Sequence, residues 1–220
     1  ENLFRILEQI RELSHGGNRV VLVAPYLPYA RSDKIDQPGV TITGSLVAQL
    51  IEAVGTQSIV FVRAHAPQSQ GFFRIPSFNI SGHETIDRYL GTHKVDEIVA
   101  PDAGGQKDAT VHANKIGVEV GVINKERDPV TAQIQMHELT GPSVEDKTVA
   151  VVDDETASGG TAHDSAKLLK VRKKARSVTV ILTHLNGDAI KAINSPYIDQ
   201  LVVTNTFPIS IPETAKFKVL

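Results

Sequence analysis

The sequence predicts an α/β fold in which parallel sheets are joined by helical crossovers. Three observations predict it. Strand-length apolar runs alternate with segments of helical period along the chain. Several of the helical segments stop at glycine, as at Gly16-Gly17, Gly55 and Gly117. The length of 220 residues is enough for one large α/β domain or two small ones with a real core.

The elements follow in order. Leu3, Ile6, Leu7, Ile10 and Leu13 recur at helical spacing, and "RVVLVAPY" then reads as a buried strand. Thr43 to Val54 reads as a helix, "SIVFV" as a strand, "HETIDRYL" as a short helix and "EIVAP" as a strand. "KDATVHANKIG" reads as a helix capped by Gly117, "EVGVI" and "KTVAVVD" as strands, and "GTAHDSAKLLK" as a helix. "SVTVILTH", "GDAIKAI" and "QLVVTN" complete the series as strand, helix and strand. Two polar stretches interrupt it. Arg31 to Gly39, with Pro38, is a loop, and Glu126 to Glu138 is a flexible loop or a β-hairpin flap. Pro76, Ser77, Asn79, Ser81 and Gly82 mark a domain boundary, dividing the chain into 1–79 and 80–220.

Composition excludes several classes. A net charge of −2 leaves no basic footprint for nucleic acid. No apolar run approaches the ~18–20 residues of a membrane span, and Arg5, Glu8, Arg11 and Glu12 break any signal-peptide pattern. Cysteine is absent, which excludes disulfides and thiolate catalysis and fits the cytoplasm. Any metal site must therefore use histidine and carboxylates.

The stretch "VAVVDDETASGGTAHDSAKLL" carries the most chemistry. Ligands of open α/β sheets bind beyond the carboxyl ends of the strands, where this turn falls. Gly159 and Gly160 allow close approach and unusual dihedrals, while Ser158 and Thr161 add hydroxyl donors. The following helix aims its amino end at the same place, so the turn suits a phosphate. Asp153 and Asp154 would repel that phosphate and suit a ribose diol or a cation instead. The bland alternative is a Gly-Gly turn before a helix, with aspartates acting as caps.

"VVDDETASGGTA" resembles the phosphoribosyl-diphosphate loop of type I phosphoribosyltransferases. "VAPYLPYARSDK", "HAPQSQGFF", "APDAGG", "INKERDP" and "LVVTNT" resemble, in order, segments of the ribose-phosphate diphosphokinase family. "HAPQSQGFF" is the most specific, since simple phosphoribosyltransferases lack it. The resemblance implies two phosphoribosyltransferase-like α/β domains, the first truncated. It also implies transfer of diphosphate from ATP to ribose 5-phosphate with Mg2+ as cofactor. The partners it implies are these substrates and further copies of the chain, in a dimer-based oligomer such as a hexamer, with no nucleic acid and no membrane.

Residue by residue, the resemblance assigns a ribose-5-phosphate site to Asp153, Asp154, Ala157, Ser158, Gly159, Gly160 and Thr161. Gly104 and Gly105 match its diphosphate turn, His65 and Asp102 its metal–ATP site, and Arg31, Asp33 and His65 its ATP contacts. Lys125 and Arg127 match a catalytic flap that brings cations to the transition state, and extended geometry would put both on one face. Taken alone, His65 and Asp102 are as readily a structural histidine and a cap. Lys125 and Arg127 alone read as a solvated charge cluster, and Arg31 as a surface arginine.

The chain also departs from the family pattern. Arg63-Ala64-His65 stands where Asp-Leu-His is usual. Along a strand Arg63 and His65 share a face, which should weaken a cation site at His65 unless Arg63 pairs with an acid or contacts phosphate. Phe78 replaces an Asp, Ala157 an Asp or Ser, "QKDAT" lacks the usual Arg, and "RSDK" replaces Arg-Gln-Asp-Arg. Family chains carry about 70–80 residues before the equivalent of Glu1, roughly half a small domain, including a Phe-Asn-Asp-Gly-Glu loop. Three readings follow: the diphosphokinase, a non-catalytic relative that regulates active subunits, and a plain phosphoribosyltransferase.

Overall fold

The structure is a computed structural model. It describes the chain apart from residues 1, 36, 128–133, 187–189, 209–213 and 215, and apart from the side chains of 125–127, 134–137, 190 and 191. The chain divides into two compact units, Glu1–Ser81 and Gly82–Leu220.

In the first unit, α1 (Asn2–His15) leads to β1 (Val20–Ala24), α2 (Thr43–Ala53), β2 (Thr56–Val62), a 3-10 turn (Pro67–Phe72) and β3 (Ser77–Ile80). The three strands pair in parallel in the order β1-β2-β3. Ile59 and Phe61 of β2 bury one face of this sheet against Leu7, Val47, Ala48 and Ile51. The expectation of a fully buried first strand is corrected here. Val21 and Val23 are 51% and 64% exposed, because β1 is an edge strand whose alternate residues sit on the sheet's other face. Residues 77–80, where the sequence reading set the domain boundary, form β3, where Phe78 and Ile80 continue that exposed face.

The second unit starts with α3 (His83–Thr92), β4 (Glu97–Ala100), α4 (Gln106–Ile116), β5 (Val120–Arg127) and β6 (Ile134–Thr140). It continues with β7 (Thr148–Thr156), α5 (Gly160–Lys167) with a π turn (Leu168–Arg172), β8 (Ser177–Leu185), α6 (Ile190–Ile193), β9 (Gln200–Val203) and β10 (Phe217–Val219). The sheet order is β10-β9-β8-β7-β4-β5-β6, parallel throughout except for the antiparallel β5–β6 pair. Of the two readings of Glu126–Glu138, the hairpin is the one formed, although residues 128–133 lie outside the description.

Both faces of the central strands are covered, which explains why "VAVV" is apolar without alternation. Val149 and Val151 pack with Ala162, Ala166 and Leu169 of the α5 side. Ala150 and Val152 pack with Ile86, Leu90, Ala109 and Ala113 of α3 and α4. The basic run from Lys167 to Arg176 is largely neutralised: Lys170, Lys173, Lys174 and Arg176 pair with Asp199, Glu138, Glu145 and Asp96.

At the amino-terminal edge of the sheet, Glu97 is 1% exposed and Lys147 Nζ lies 2.9 Å from its Oε2. Burial pushes the Glu97 carboxyl above its usual range, opposed by the lysine. Lys147→Ala would strand this carboxylate and should cost about 2 kcal/mol, less than a fully buried pair because Lys147 reaches solvent. Urea denaturation measures the loss. A Glu97→Leu/Lys147→Met double variant should recover most of it.

Candidate functional site

Strand β7 runs past β4, ends level with β8 and carries the acidic turn at its carboxyl end. Asp153 is still paired in register with Leu182, and Glu155 with His184. Asp153 Oδ1 accepts the Asp154 N–H (2.9 Å), and Asp154 Oδ1 accepts the Glu155 N–H (2.8 Å). Each carboxylate thus has one oxygen tied to the backbone, which fixes where the other oxygen points. Strand β4 lies beside β7 with Val99 opposite Val151, so the loop after β4 opens at the same sheet edge. There Asp102 Oδ1 accepts the Gly105 N–H at 3.1 Å.

These acids influence one another. The Asp153 carboxyl is pushed up to about 8, first by burial, then by the Asp154 charge and hydrogen bonding, with Asp102 adding to the repulsion. A carboxyl held up by burial and by neighbouring acids fits a hydroxyl-bearing ligand or a cation.

The turn after β7 is shaped for an anion. Thr156 Oγ1 accepts the Gly159 N–H (3.0 Å), and Gly159 takes φ +74° at the cap of α5. Only Gly159 uses the left-handed region; Gly160 is already helical, which corrects the expectation of unusual dihedrals at both. Ala157 and Ser158 are exposed, and among the described residues nothing accepts from their N–H groups. At the other turn, a Cβ on Gly104 would lie 3.2 Å from Asp102 Oδ1, so the absent side chain leaves that carboxylate room.

The sequence-selected residues divide between the two units. Arg31, Asp33 and His65 belong to the first unit, and Asp102, Gly104, Gly105, Lys125, Arg127 and the Asp153–Thr161 group to the second. Asp33 Oδ2 accepts from Gln68 Nε2 at 3.0 Å. Lys125 and Arg127 lie on β5, opposite Met136 and Ile134 of β6; their side chains are outside the described residues. The expected shared face of Arg63 and His65 does not form. β2 ends at Val62, Arg63 takes φ +37°, and alternation stops, leaving Arg63 6% exposed while His65 faces solvent.

A magnesium ion is held by oxygen ligands, commonly one or two carboxylates completed by substrate phosphates. Among the described residues no three acidic or histidine side chains gather into a metal cage. Asp102, beside the crowded Asp153, fits the sparser arrangement; His65, an imidazole, suits magnesium less well.

Two features escaped the sequence reading. Glu155 and His184, both buried, stand opposite each other just behind Asp154, and His184 Nδ1 is 2.8 Å from Thr206 Oγ1. Buried His112 of α4 meets Asp87 of α3. Matching His-x-x-x-Asp and Asp-x-x-x-His spacings were the available signal.

The raised Asp153 carboxyl gives a signed prediction. Between its ordinary value of 3.8 and about 8, the folded chain retains a proton that the unfolded chain has lost. Stability of the unliganded chain should therefore fall as pH rises through that window. Asp153→Asn should flatten this part of the profile. Urea denaturation at about pH 5 and about pH 9.5 reads the slope, and an equal slope in wild type and variant contradicts the assignment.

Comparison with known proteins agrees with this geometry. Residues 1–55 match the N-terminal domain of ribose phosphate pyrophosphokinase, and residues 72–212 match the phosphoribosyl transferase domain. Ribose-phosphate pyrophosphokinase A of Dictyostelium discoideum is 37% identical over 215 residues, covering 94% of this chain and 66% of that protein. Ribose-phosphate pyrophosphokinase of Wolinella succinogenes is 35% identical, covering 100% of this chain and 72% of that protein. A phosphoribosylpyrophosphate synthetase structure from Mycobacterium smegmatis superposes with TM-score 0.87 at 30% identity, covering 99% of this chain and 72% of that one. The chain thus spans about two thirds of the length of such relatives, 66%, 62% and 65% in three of them. With both domains matched in order and the acidic turn at the sheet edge where these folds bind ligand, the chain belongs to the ribose phosphate pyrophosphokinase family.

Proposed function

We propose that the chain transfers diphosphate from Mg-ATP to C1 of ribose 5-phosphate. The anomeric hydroxyl oxygen attacks the β-phosphorus and the bond from that phosphorus to the α–β bridging oxygen breaks. AMP leaves, and the hydroxyl proton is released. The observation that carries this reading is the Asp153–Asp154 pair, tied to its own backbone, beside the exposed Ala157 and Ser158 amides. Carboxylates accept from the ribose diol, and amides with the Ser158 and Thr161 hydroxyls take the 5-phosphate. The Gly104–Gly105 turn receives the diphosphate. Asp102 and the substrate phosphates would hold magnesium, which would supply charge neutralisation at the transferring group. Lys125 and Arg127 bring further positive charge as it develops. Arg31, Asp33 and His65 contact ATP.

The same reading places the chain in the cytoplasm as a dimer-based oligomer. No helix among the described residues is long and apolar enough to cross a membrane. A second reading, a non-catalytic relative that binds active subunits, is favoured by buried Arg63 where the family carries an acid.

The test is AMP release from ATP, ribose 5-phosphate and magnesium. Turnover should appear, and Lys125→Ala should lower it about 100-fold or more, as removal of a transition-state donor does. An absence of turnover, together with retained binding to an active homologue, would select the regulatory reading.

A further inference from the structure

Helices α3 and α4 are joined by four polar side chains that the proposed reaction does not use. His112, in the middle of α4, is fully buried, and its Nδ1–H donates to Asp87 Oδ1 of α3 at 2.6 Å. The His83 ring, at the start of α3, meets the His112 ring edge-on, with centroids 4.8 Å apart at 69°. His83 Nε2 is 3.8 Å from Asp108 Oδ1 in the first turn of α4.

A buried imidazole–carboxylate pair contributes little net stability, because desolvation offsets its attraction. It does contribute direction. Ala109 and Ala113, buried on either side of His112, give α4 a smooth surface that would pack at several rotations. A hydrogen bond of fixed length and angle selects one of them. The orientation of α4 then passes directly to the turn before it. The Ala109 N–H bonds the Gly105 carbonyl at 3.0 Å, and the Gly105 N–H bonds Asp102 at 3.1 Å.

We propose that His112 and Asp87, supported by His83 and Asp108, are positioning residues that set the angle of α4 and so aim the Gly104–Gly105 turn at diphosphate. This rests on the reading above that this turn receives diphosphate.

The experiment is calorimetric binding of inorganic diphosphate with magnesium to the full chain, with thermal melting in parallel. Asp87→Val/His112→Leu replaces the pair by apolar groups and should melt no lower than wild type. Its diphosphate affinity should fall about fivefold or more, a typical coupling through packed elements. Equal affinity in this folded variant overturns the proposal. If it melts without cooperativity, the comparison passes to His112→Asn, whose amide nitrogen takes the place of Nδ1 and still reaches Asp87, against His112→Gln, whose amide lies one bond further out. Affinity kept by Asn and lost by Gln supports positioning, and equal affinities overturn it. Wild type that binds no diphosphate removes the reading of the turn, and the proposal with it. That outcome is distinct from wild-type binding which the variants leave unchanged.

Discussion

Carboxylates bound by their own backbone organise the second unit. Asp102 accepts the Gly105 N–H, Asp153 that of Asp154, and Asp154 that of Glu155. Each bond satisfies a donor that would otherwise be orphaned where a strand ends, and each fixes the direction of a carboxylate. The parallel pairing of β4 with β7 then brings two such loops to one edge of the sheet. Without that pairing, Asp102 and Asp153 would be separate caps on separate strands. With it, they repel across a poorly solvated edge, and the site acquires a demand for hydroxyl groups or positive charge.

The two ends of the sheet treat the same residue type in opposite ways. At the amino-terminal edge, the Thr148 N–H holds the Asp96 carboxyl below its usual range, with Lys94, Arg176 and Lys147 assisting. At that end Asp96 and Glu97 each pair with a lysine or arginine, and these acids serve the fold. At the carboxyl edge, burial and neighbouring acids hold Asp153 above its usual range. A carboxyl raised in this way is expected where a ligand finishes the structure. The polarity matches the general placement of ligands beyond the carboxyl ends of parallel strands.

Arg63 shows how a family departure can alter its neighbourhood. An acid replaced by arginine two residues before His65 suggested electrostatic interference on a shared face. The backbone avoids that arrangement by taking φ +37° immediately after β2, a conformation that costs a non-glycine residue about 1 kcal/mol or more. The guanidinium turns inward and His65 outward. The proposed ATP contact at His65 therefore stands on a strained turn rather than on a regular strand.

Local chemistry determined much of what the sequence alone could reveal. Apolar runs and the Gly117 stop specified most elements of the second unit, though not β10, because strand burial and helix termination are set within a few residues. The acidic turn was equally legible, since Asp-Asp followed by Ser-Gly-Gly-Thr carries its chemistry in its own order. Long-range placement decided the rest. That β1 is an exposed edge, that residues 77–80 form a strand, that Asp102 acts on Asp153, and that His112 meets Asp87 all depend on which elements become neighbours. Periodicity reports how a residue relates to its own element, and desolvation and pairing depend on what packs against that element from elsewhere in the chain.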